Sequence, residues 1–207
     1  MAPPRVTSFE TAIRQAAGAL RASGLRWAVV GGLAVGARAE PRTTRDVDLA
    51  VAVSGDAETE AVLYRLQGNG FSVVSVVSVV EQTAMHRLAT ARLQSSDPRI
   101  RGIFVDLLFA SSGIEAELAS AAEEIELVPG LSVPVARTGH LIALKALARN
   151  DRDRPQDLDD IRALLREAAA ADLDEAREAV RLIEERGFAR RRKLSEELED
   201  LLTKEAR

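Results

Sequence analysis

The chain has 207 residues, of which 46% are apolar, a formal net charge of −4 and no cysteine. This size and composition predict one globular domain, or one domain with an appendage, and the lack of cysteine excludes disulfides and thiolate metal sites. The negative charge argues against a broad nucleic-acid-binding surface but permits a local basic patch. Residues 1–10 lack the apolar region of a signal peptide, and no apolar run is long enough to span a bilayer. We therefore expect a cytoplasmic protein without a membrane partner.

Helices and strands interleave over the first two thirds of the chain. Thr7 and Glu10 form a capping-box pattern that predicts a helix to about residue 22, ended by Gly24. The patterns that follow predict strand 26–30, helix 32–38, strand 46–53, helix 56–67 and strands 71–80, 86–93 and 102–110. From about residue 138 onward the pattern is helical. An α+β fold is expected, with a mixed sheet and flanking helices in residues 1–136 and a helical bundle in residues 137–207.

Asp46 and Asp48 open the strand predicted at 46–53. Residues two apart in a strand point to the same face, so both carboxylates project together while Val47 and Leu49 face the core. Two parallel carboxylates repel each other, and Mg²⁺ suits them because it binds one or two carboxylates together with water and substrate phosphates.

Asp106 is a further carboxylate, located inside the apolar segment 102–110. An unpaired charge there would be costly. If this strand lies beside 46–53, the three aspartates form a cluster that can hold two Mg²⁺ ions. Two such ions can activate an attacking hydroxyl and stabilise a leaving pyrophosphate.

Gly31 and Gly32 lie between a predicted strand and a predicted helix. The free N–H groups and partial positive charge of a helix N-terminus favour phosphate, and glycine lets the backbone approach it closely. Further donors follow in the segment 42–45, "RTTR". Each feature alone is weak, since Gly-Gly turns are common, D-x-D often marks a solvated strand end and a lone Asp often caps a loop. Their combination in this order favours a phosphate and metal site.

These residues resemble the DNA-polymerase-beta-like nucleotidyltransferase superfamily, whose motif Gly31, Gly32, Asp46, Asp48 and Asp106 match. More narrowly, Arg42-x-Thr44-x-Asp46-x-Asp48 resembles the AbiEii/MenT-type nucleotidyltransferases, the toxin half of bacterial toxin–antitoxin pairs. The segment 141–161 resembles the downstream part of the same proteins. Leu33 is a departure, because the superfamily often has serine after its glycines.

The resemblance implies a Mg²⁺-dependent transfer of a nucleoside monophosphate from an NTP to a hydroxyl. It implies a tRNA 3′ end as acceptor and an antitoxin protein as a partner. The implied catalytic and metal-binding residues are Asp46, Asp48 and Asp106. The implied nucleotide-binding residues are Gly31, Gly32, Arg42, Thr44, Lys145 and Asp157.

Alternatives remain open for several of these residues. Lys145 can be a surface lysine whose aliphatic part covers apolar neighbours. Asp157 can have a purely structural role, in which its negative charge stabilises the positive N-terminal end of its helix. Asp157 is preferred over Asp160 as a site residue, and Asp159 is expected to face solvent.

The basic residues suggest two roles. A basic rim for RNA can comprise Arg38, Arg42, Arg45, Arg149, Arg152 and Arg154, extended by 190–193. The segment 186–202 can equally be a solvated helix with Arg192–Glu196 and Lys193–Glu197 pairs.

Other functions are also compatible with the sequence. The acceptor can be a small molecule such as an aminoglycoside or a protein side chain. The fold can also serve as a non-catalytic regulatory module.

Overall fold

The structure is a computed structural model that describes residues 7–41, 43–44, 46–80, 86–100, 102–150, 152 and 155–205. Within these ranges, seven strands form one sheet and eight α-helices accompany it. The strands are β1 (Trp27–Val29), β2 (Asp46–Val51), β3 (Phe71–Val80), β4 (His86–Ser95), β5 (Phe104–Leu108), β6 (Glu123–Val128) and β7 (Leu131–Val135). The helices are α1 (Ser8–Arg21), α2 (Gly31–Arg38), α3 (Asp56–Gly68), α4 (Glu115–Ala121), α5 (Thr138–Ala148), α6 (Gln156–Glu167), α7 (Ala170–Glu185) and α8 (Leu194–Glu205).

The sheet is mixed, with the strand order β3-β4-β5-β2-β1-β7-β6. The central strand β2 pairs antiparallel with β1 and parallel with β5. In the parallel pair Asp48 lies directly opposite Asp106, so the two strands predicted to carry the carboxylates are neighbours. The α+β architecture expected from the sequence is confirmed.

The alternation in β2 follows the pattern expected from its sequence. Val47 and Leu49 are fully buried, whereas Asp46 and Asp48 on the other face are partly exposed. The first helix also follows its local pattern, because the Thr7 hydroxyl accepts from the Glu10 amide at 3.1 Å and the Glu10 carboxylate accepts from the Thr7 amide at 2.9 Å. The capping box thus fixes the start of α1.

Three elements between residues 115 and 135 were not among those predicted from the sequence. These are α4, β6 and β7. Strand β6 lies at the sheet edge and exposes Glu123 and Glu124, and its polar–apolar alternation covers only the short run 124–127. Strand β7 contains Pro134, a residue that weakens a strand prediction.

The helical half packs directly onto the sheet half. Helix α5 contacts α2, α6, α7 and α8 and is buried along most of its length. One apolar cluster continues from Ile13 in α1 to Leu198 in α8. The division into residues 1–136 and 137–207 stays a prediction, with β7 ending at Val135 and α5 beginning at Thr138. No helix in the described ranges has the length and apolarity needed to cross a membrane.

Candidate active site

A cleft of about 610 Å³ lies where β2, β4 and β5 meet the N-terminus of α2 and the helices α5 and α6. Eight of the residues proposed from the sequence line it. They are Gly31, Gly32, Thr44, Asp46, Asp48, Asp106, Lys145 and Asp157. Arg42, the remaining one, lies outside the described residues, as do Arg45 and Arg154 of the expected basic rim.

The glycine turn and the carboxylates are in direct contact. Gly31 has φ +64°, and a Cβ atom built there would lie 1.9 Å from Oδ2 of Asp48. Only a residue without a side chain lets α2 begin this close to the carboxylate. The N-terminus of α2 and the aspartates of β2 therefore form one surface of the cleft.

Arg92 in β4 is a cleft residue that was not anticipated from the sequence. It lies opposite Asp106 in the antiparallel β4–β5 pair. Its Nε and Nη2 atoms donate to the two oxygens of Asp106 at 2.8 and 2.5 Å, and Nη2 lies 3.4 Å from Asp46 Oδ2. The hydrogen bonds to Asp106 raise the pKa of Arg92 further above its usual range. A fixed positive charge therefore lies among the carboxylates.

The guanidinium of Arg92 also lies over the ring of Phe104, 5.0 Å from its centroid. This cation–π contact and the fork-like pair with Asp106 hold the side chain in one orientation. The charge of Asp106 would be costly if it were unpaired in an apolar strand. In this arrangement Arg92 is its counter-ion.

Lys145 is buried, with 9% of its side chain exposed. Its Nζ lies 2.9 Å from Asp157 Oδ1 and 2.7 Å from Asp160 Oδ2, so one ammonium links two carboxylates of α6 to α5. Asp157 and Asp160, three residues apart, therefore lie on one face of α6. The alternative of a solvent-exposed Lys145 does not agree with this arrangement, because the side chain points inward.

Residues 16–207 match the family described as nucleotidyl transferase AbiEii toxin of type IV toxin–antitoxin systems. The chain belongs to this family. The resemblance drawn from its glycines and aspartates is thereby confirmed, and the chain is a nucleotidyltransferase. No curated protein sequence is significantly similar to it.

Two solved structures of ANT(2'')-Ia have a fold similar to that of this AbiEii-family chain. The solution structure of this antibiotic-resistance factor is 19% identical, with a TM-score of 0.53, and the match covers 83% of this chain and 90% of that one. The crystal structure of ANT(2'')-Ia with adenylyl-2''-tobramycin is 18% identical, with a TM-score of 0.55, and the match covers 84% and 98% of the two chains. At these identities the likeness shows a shared fold.

The donor chemistry of the AbiEii-family cleft fits a hard divalent cation in part. Asp46 and Asp48 present carboxylate oxygens from one strand face, and Mg²⁺ needs only one or two carboxylates besides water and phosphate oxygens. No group of three acidic, histidine or cysteine side chains within the described ranges is arranged to hold a metal ion. The three aspartates line one cleft, and the three-carboxylate metal site stays a prediction, because Asp106 pairs with Arg92 here and would have to exchange it for an ion.

Other residues of the expected site lie elsewhere or have structural contacts. Thr44 lines the cleft and donates from Oγ1 to the carbonyl of Asp46 at 3.2 Å, which fixes the start of β2. Arg38 is turned away from the expected rim, because it donates to the carbonyls of Val135 and Ala136 and pairs with Glu123 at 2.7 Å. Arg149 follows α5 and borders a separate surface cavity of about 480 Å³.

The ion pairs expected after residue 190 have different partners. Arg192 pairs with Glu197, and Lys193 pairs with Glu196 at 2.8 Å. The expected i,i+4 pairs required a continuous helix, whereas α8 begins only at Leu194. The basic residues that precede it belong to a turn between α7 and α8.

Proposed function

We propose that this AbiEii-family nucleotidyltransferase moves a nucleoside monophosphate from an NTP to a tRNA 3′ end, with Mg²⁺ as cofactor. We further propose that it is a toxin restrained by an antitoxin protein. The observation that carries the nucleotidyl transfer is the contact of the Gly31 turn with Asp48 at the edge of a cleft that Lys145 also lines. The tRNA acceptor is supported by the narrower resemblance of residues 42–48.

In this reaction the acceptor hydroxyl oxygen forms a bond to the α-phosphorus of the NTP. The bond from the α-phosphorus to the oxygen that bridges to the β-phosphate breaks, and pyrophosphate leaves with the electron pair. The hydroxyl proton passes to a carboxylate of the cleft or to water. When bound, Mg²⁺ supplies positive charge for the phosphate oxygens and the pyrophosphate.

The chain's own residues have separable roles in this proposal. Gly31 and Gly32 offer backbone N–H groups to phosphate. Arg42 and Thr44, which shortly precede Asp46 in the sequence, add side-chain donors. Asp46 and Asp48 hold the ion. Asp106 helps to activate the acceptor hydroxyl once Arg92 has released one of its oxygens, because both are hydrogen-bonded in the present arrangement. Lys145 and Asp157 form the helical wall of the nucleotide site.

The test is to incubate the protein with Mg²⁺, each labelled NTP in turn and total cellular RNA. We expect label at tRNA 3′ ends, and we expect Asp48→Ala to reduce its incorporation by on the order of a thousandfold or more. Asp159→Ala is the matched control, because Asp159 is 77% exposed on α6 and should leave the rate unchanged.

Three outcomes would contradict the proposal. Activity of Asp48→Ala within tenfold of the wild type would show that Asp48 is not needed for nucleotidyl transfer. Label that enters protein would show that the acceptor is a protein side chain and not tRNA. In a parallel incubation with an aminoglycoside added, label on the aminoglycoside in place of tRNA would show that the acceptor is a small molecule.

A further inference from the structure

The turn between α7 and α8 carries strained backbone beside the cleft. Arg190 and Arg191 have φ values of +53° and +61°, so two consecutive non-glycine residues adopt the left-handed conformation. This conformation is unfavourable for residues with a Cβ atom, and it persists where the surroundings fix it, often at functional sites.

The N-terminal side of this turn is anchored by burial and by an ion pair. Phe188 is buried, and its ring lies so close to Gly113 that a Cβ atom there would be 2.5 Å from Phe188 Cδ2. Arg186 pairs with Glu117 at 2.6 Å and donates to the carbonyl of Gly113. These contacts tie the turn to the segment that follows β5.

The C-terminal side is anchored to the end of α5. Arg192 donates to the carbonyls of Leu147 and Arg149 at 3.0 and 3.4 Å and pairs with Glu197. Because both sides are held, the backbone of Arg190 and Arg191 cannot relax without loss of these contacts.

Arg190 lines the cleft, and its side chain makes no hydrogen bond or ion pair with any residue in the described ranges. The other described cations of the cleft lining are engaged. Arg92 holds Asp106, and Lys145 holds two aspartates of α6. Among the described residues of the lining, Arg190 is therefore the cation available to a ligand.

The charge of the lining indicates what kind of ligand needs this arginine. The described lining contains four aspartates, Asp46, Asp48, Asp106 and Asp157, against Arg92, Lys145 and Arg190. A polyphosphate that enters such a cleft meets net negative charge from the side chains, and a cation without a carboxylate partner offsets part of it. The planar guanidinium fork matches phosphate oxygens and keeps its charge at any working pH.

We propose that Arg190 is a nucleotide-binding residue that contacts the phosphates of the NTP from the helical half. The strained turn holds its side chain at the cleft before the nucleotide arrives, which lowers the entropy lost on binding. This inference rests on the proposed function, since it takes an NTP as the substrate.

The closing experiment compares Arg190→Gly with Arg191→Gly. Each variant removes one arginine and relieves the backbone strain at one left-handed position. Of the two arginines, only Arg190 lines the cleft. Binding of ATP, GTP, CTP and UTP is measured by calorimetric titration with Mg²⁺ present, and thermal unfolding is recorded for each protein. We expect Arg190→Gly to weaken binding of the preferred NTP about tenfold, equivalent to about 1.4 kcal/mol. Arg191→Gly should bind like the wild type, and neither variant should melt at a lower temperature.

The outcomes separate this inference from the proposed function. Wild-type affinity in Arg190→Gly, or equal weakening in both variants, would overturn the role of Arg190 and leave the proposed function intact. A wild-type protein that binds none of the four NTPs would overturn both. Loss of affinity in Arg190→Gly alone would support the role even if tRNA proved not to be the acceptor.

Discussion

Gly31 combines a left-handed backbone with close contact to a carboxylate. Its φ of +64° is accessible to glycine at little cost, and the space where a Cβ atom would lie is filled by Asp48. The same residue begins α2, so its backbone conformation and the position of Asp48 are set together. A change at this one position should therefore affect stability and activity at once.

We predict that Gly31→Ala lowers the melting temperature and the rate of nucleotidyl transfer. The left-handed backbone alone costs an alanine about 1–2 kcal/mol, and the clash must displace either Asp48 or the start of α2. Gly18→Ala is the control, because no atom other than its chain neighbours and the nearby backbone of α1 lies within 4 Å of its added Cβ, and alanine favours a helix by about 1 kcal/mol. A Gly31→Ala protein with wild-type melting and activity would show that the close contact is unimportant.

Arg92 acts in this arrangement as the counter-ion of the carboxylates. We predict that Arg92→Gln lowers stability by on the order of 1 kcal/mol without divalent cations, a modest amount because Arg92 is 41% exposed and its charge is screened. Addition of Mg²⁺ or Mn²⁺ should raise the melting temperature more in Arg92→Gln than in the wild type, because the ion replaces the lost charge.

The control for this prediction is Arg99→Gln, which breaks the pair of Arg99 with Asp97, two residues that do not line the cleft. Arg99 is 77% exposed, so neither stability nor its response to divalent cations should change. Equal shifts by Mn²⁺ in the wild type and Arg92→Gln would mean that these carboxylates and Arg92 do not compete for an ion.

At the scale of elements, the ion pairs of Lys145 join α5 to α6 across a buried interface. Asp157 is fully buried and Asp160 nearly so, and both lie within 2.9 Å of the same ammonium. Two buried carboxylates that lose their cation carry a large desolvation cost. Lys145 therefore shapes the helical wall of the cleft whether or not it also touches the nucleotide.

We predict that Lys145→Met destabilises the protein by about 3–5 kcal/mol, since it removes the cation that two buried carboxylates share. Lys193→Met is matched in chemistry but removes an exposed pair, and should leave the free energy of unfolding close to that of the wild type. Denaturant titration followed by circular dichroism measures both. Similar small effects in the two variants would indicate that Asp157 and Asp160 do not depend on Lys145.

The sequence predicts best those elements whose signal is local. The capping box of α1 and the alternation of β2 need only neighbouring residues, and Asp46 and Asp48 follow from the two-residue period of a strand. Arg92 could not be identified in this way, because its partner is 14 residues away and is set by the register between β4 and β5. Asp157 and Asp160 could be placed on one helix face, but their shared contact with Lys145 depends on the packing of two helices.

The cleft-facing position of Arg190 had no sequence signal either. Its left-handed backbone contradicts the intrinsic preference of arginine and follows from anchors at Phe188 and Arg192 on the two sides of the turn. Edge strand β6 was missed for a different reason, since its alternation covers only residues 124–127 and so short a run is a weak signal for a strand.

At the scale of the whole molecule, the sheet and the C-terminal helices share one core. The apolar cluster includes Trp27 and Val29 of β1, Leu141 of α5 and Leu198 of α8. Elements that bury one another's apolar faces in this way lose their stability together. We therefore predict that residues on the two sides of the division at 136 and 137 unfold together.

The single tryptophan of the chain makes this testable. Trp27 is 4% exposed in β1, so its fluorescence reports the sheet, while far-ultraviolet circular dichroism also reports the helices. We predict coincident urea transitions for the two signals. Leu198→Ala should shift both midpoints equally, by a destabilisation of about 2–5 kcal/mol, although it lies in α8. If the variant instead split the dichroism into two steps and left the Trp27 midpoint in place, the helical half would be an independent folding unit, and the cleft would form only where two separate bodies meet.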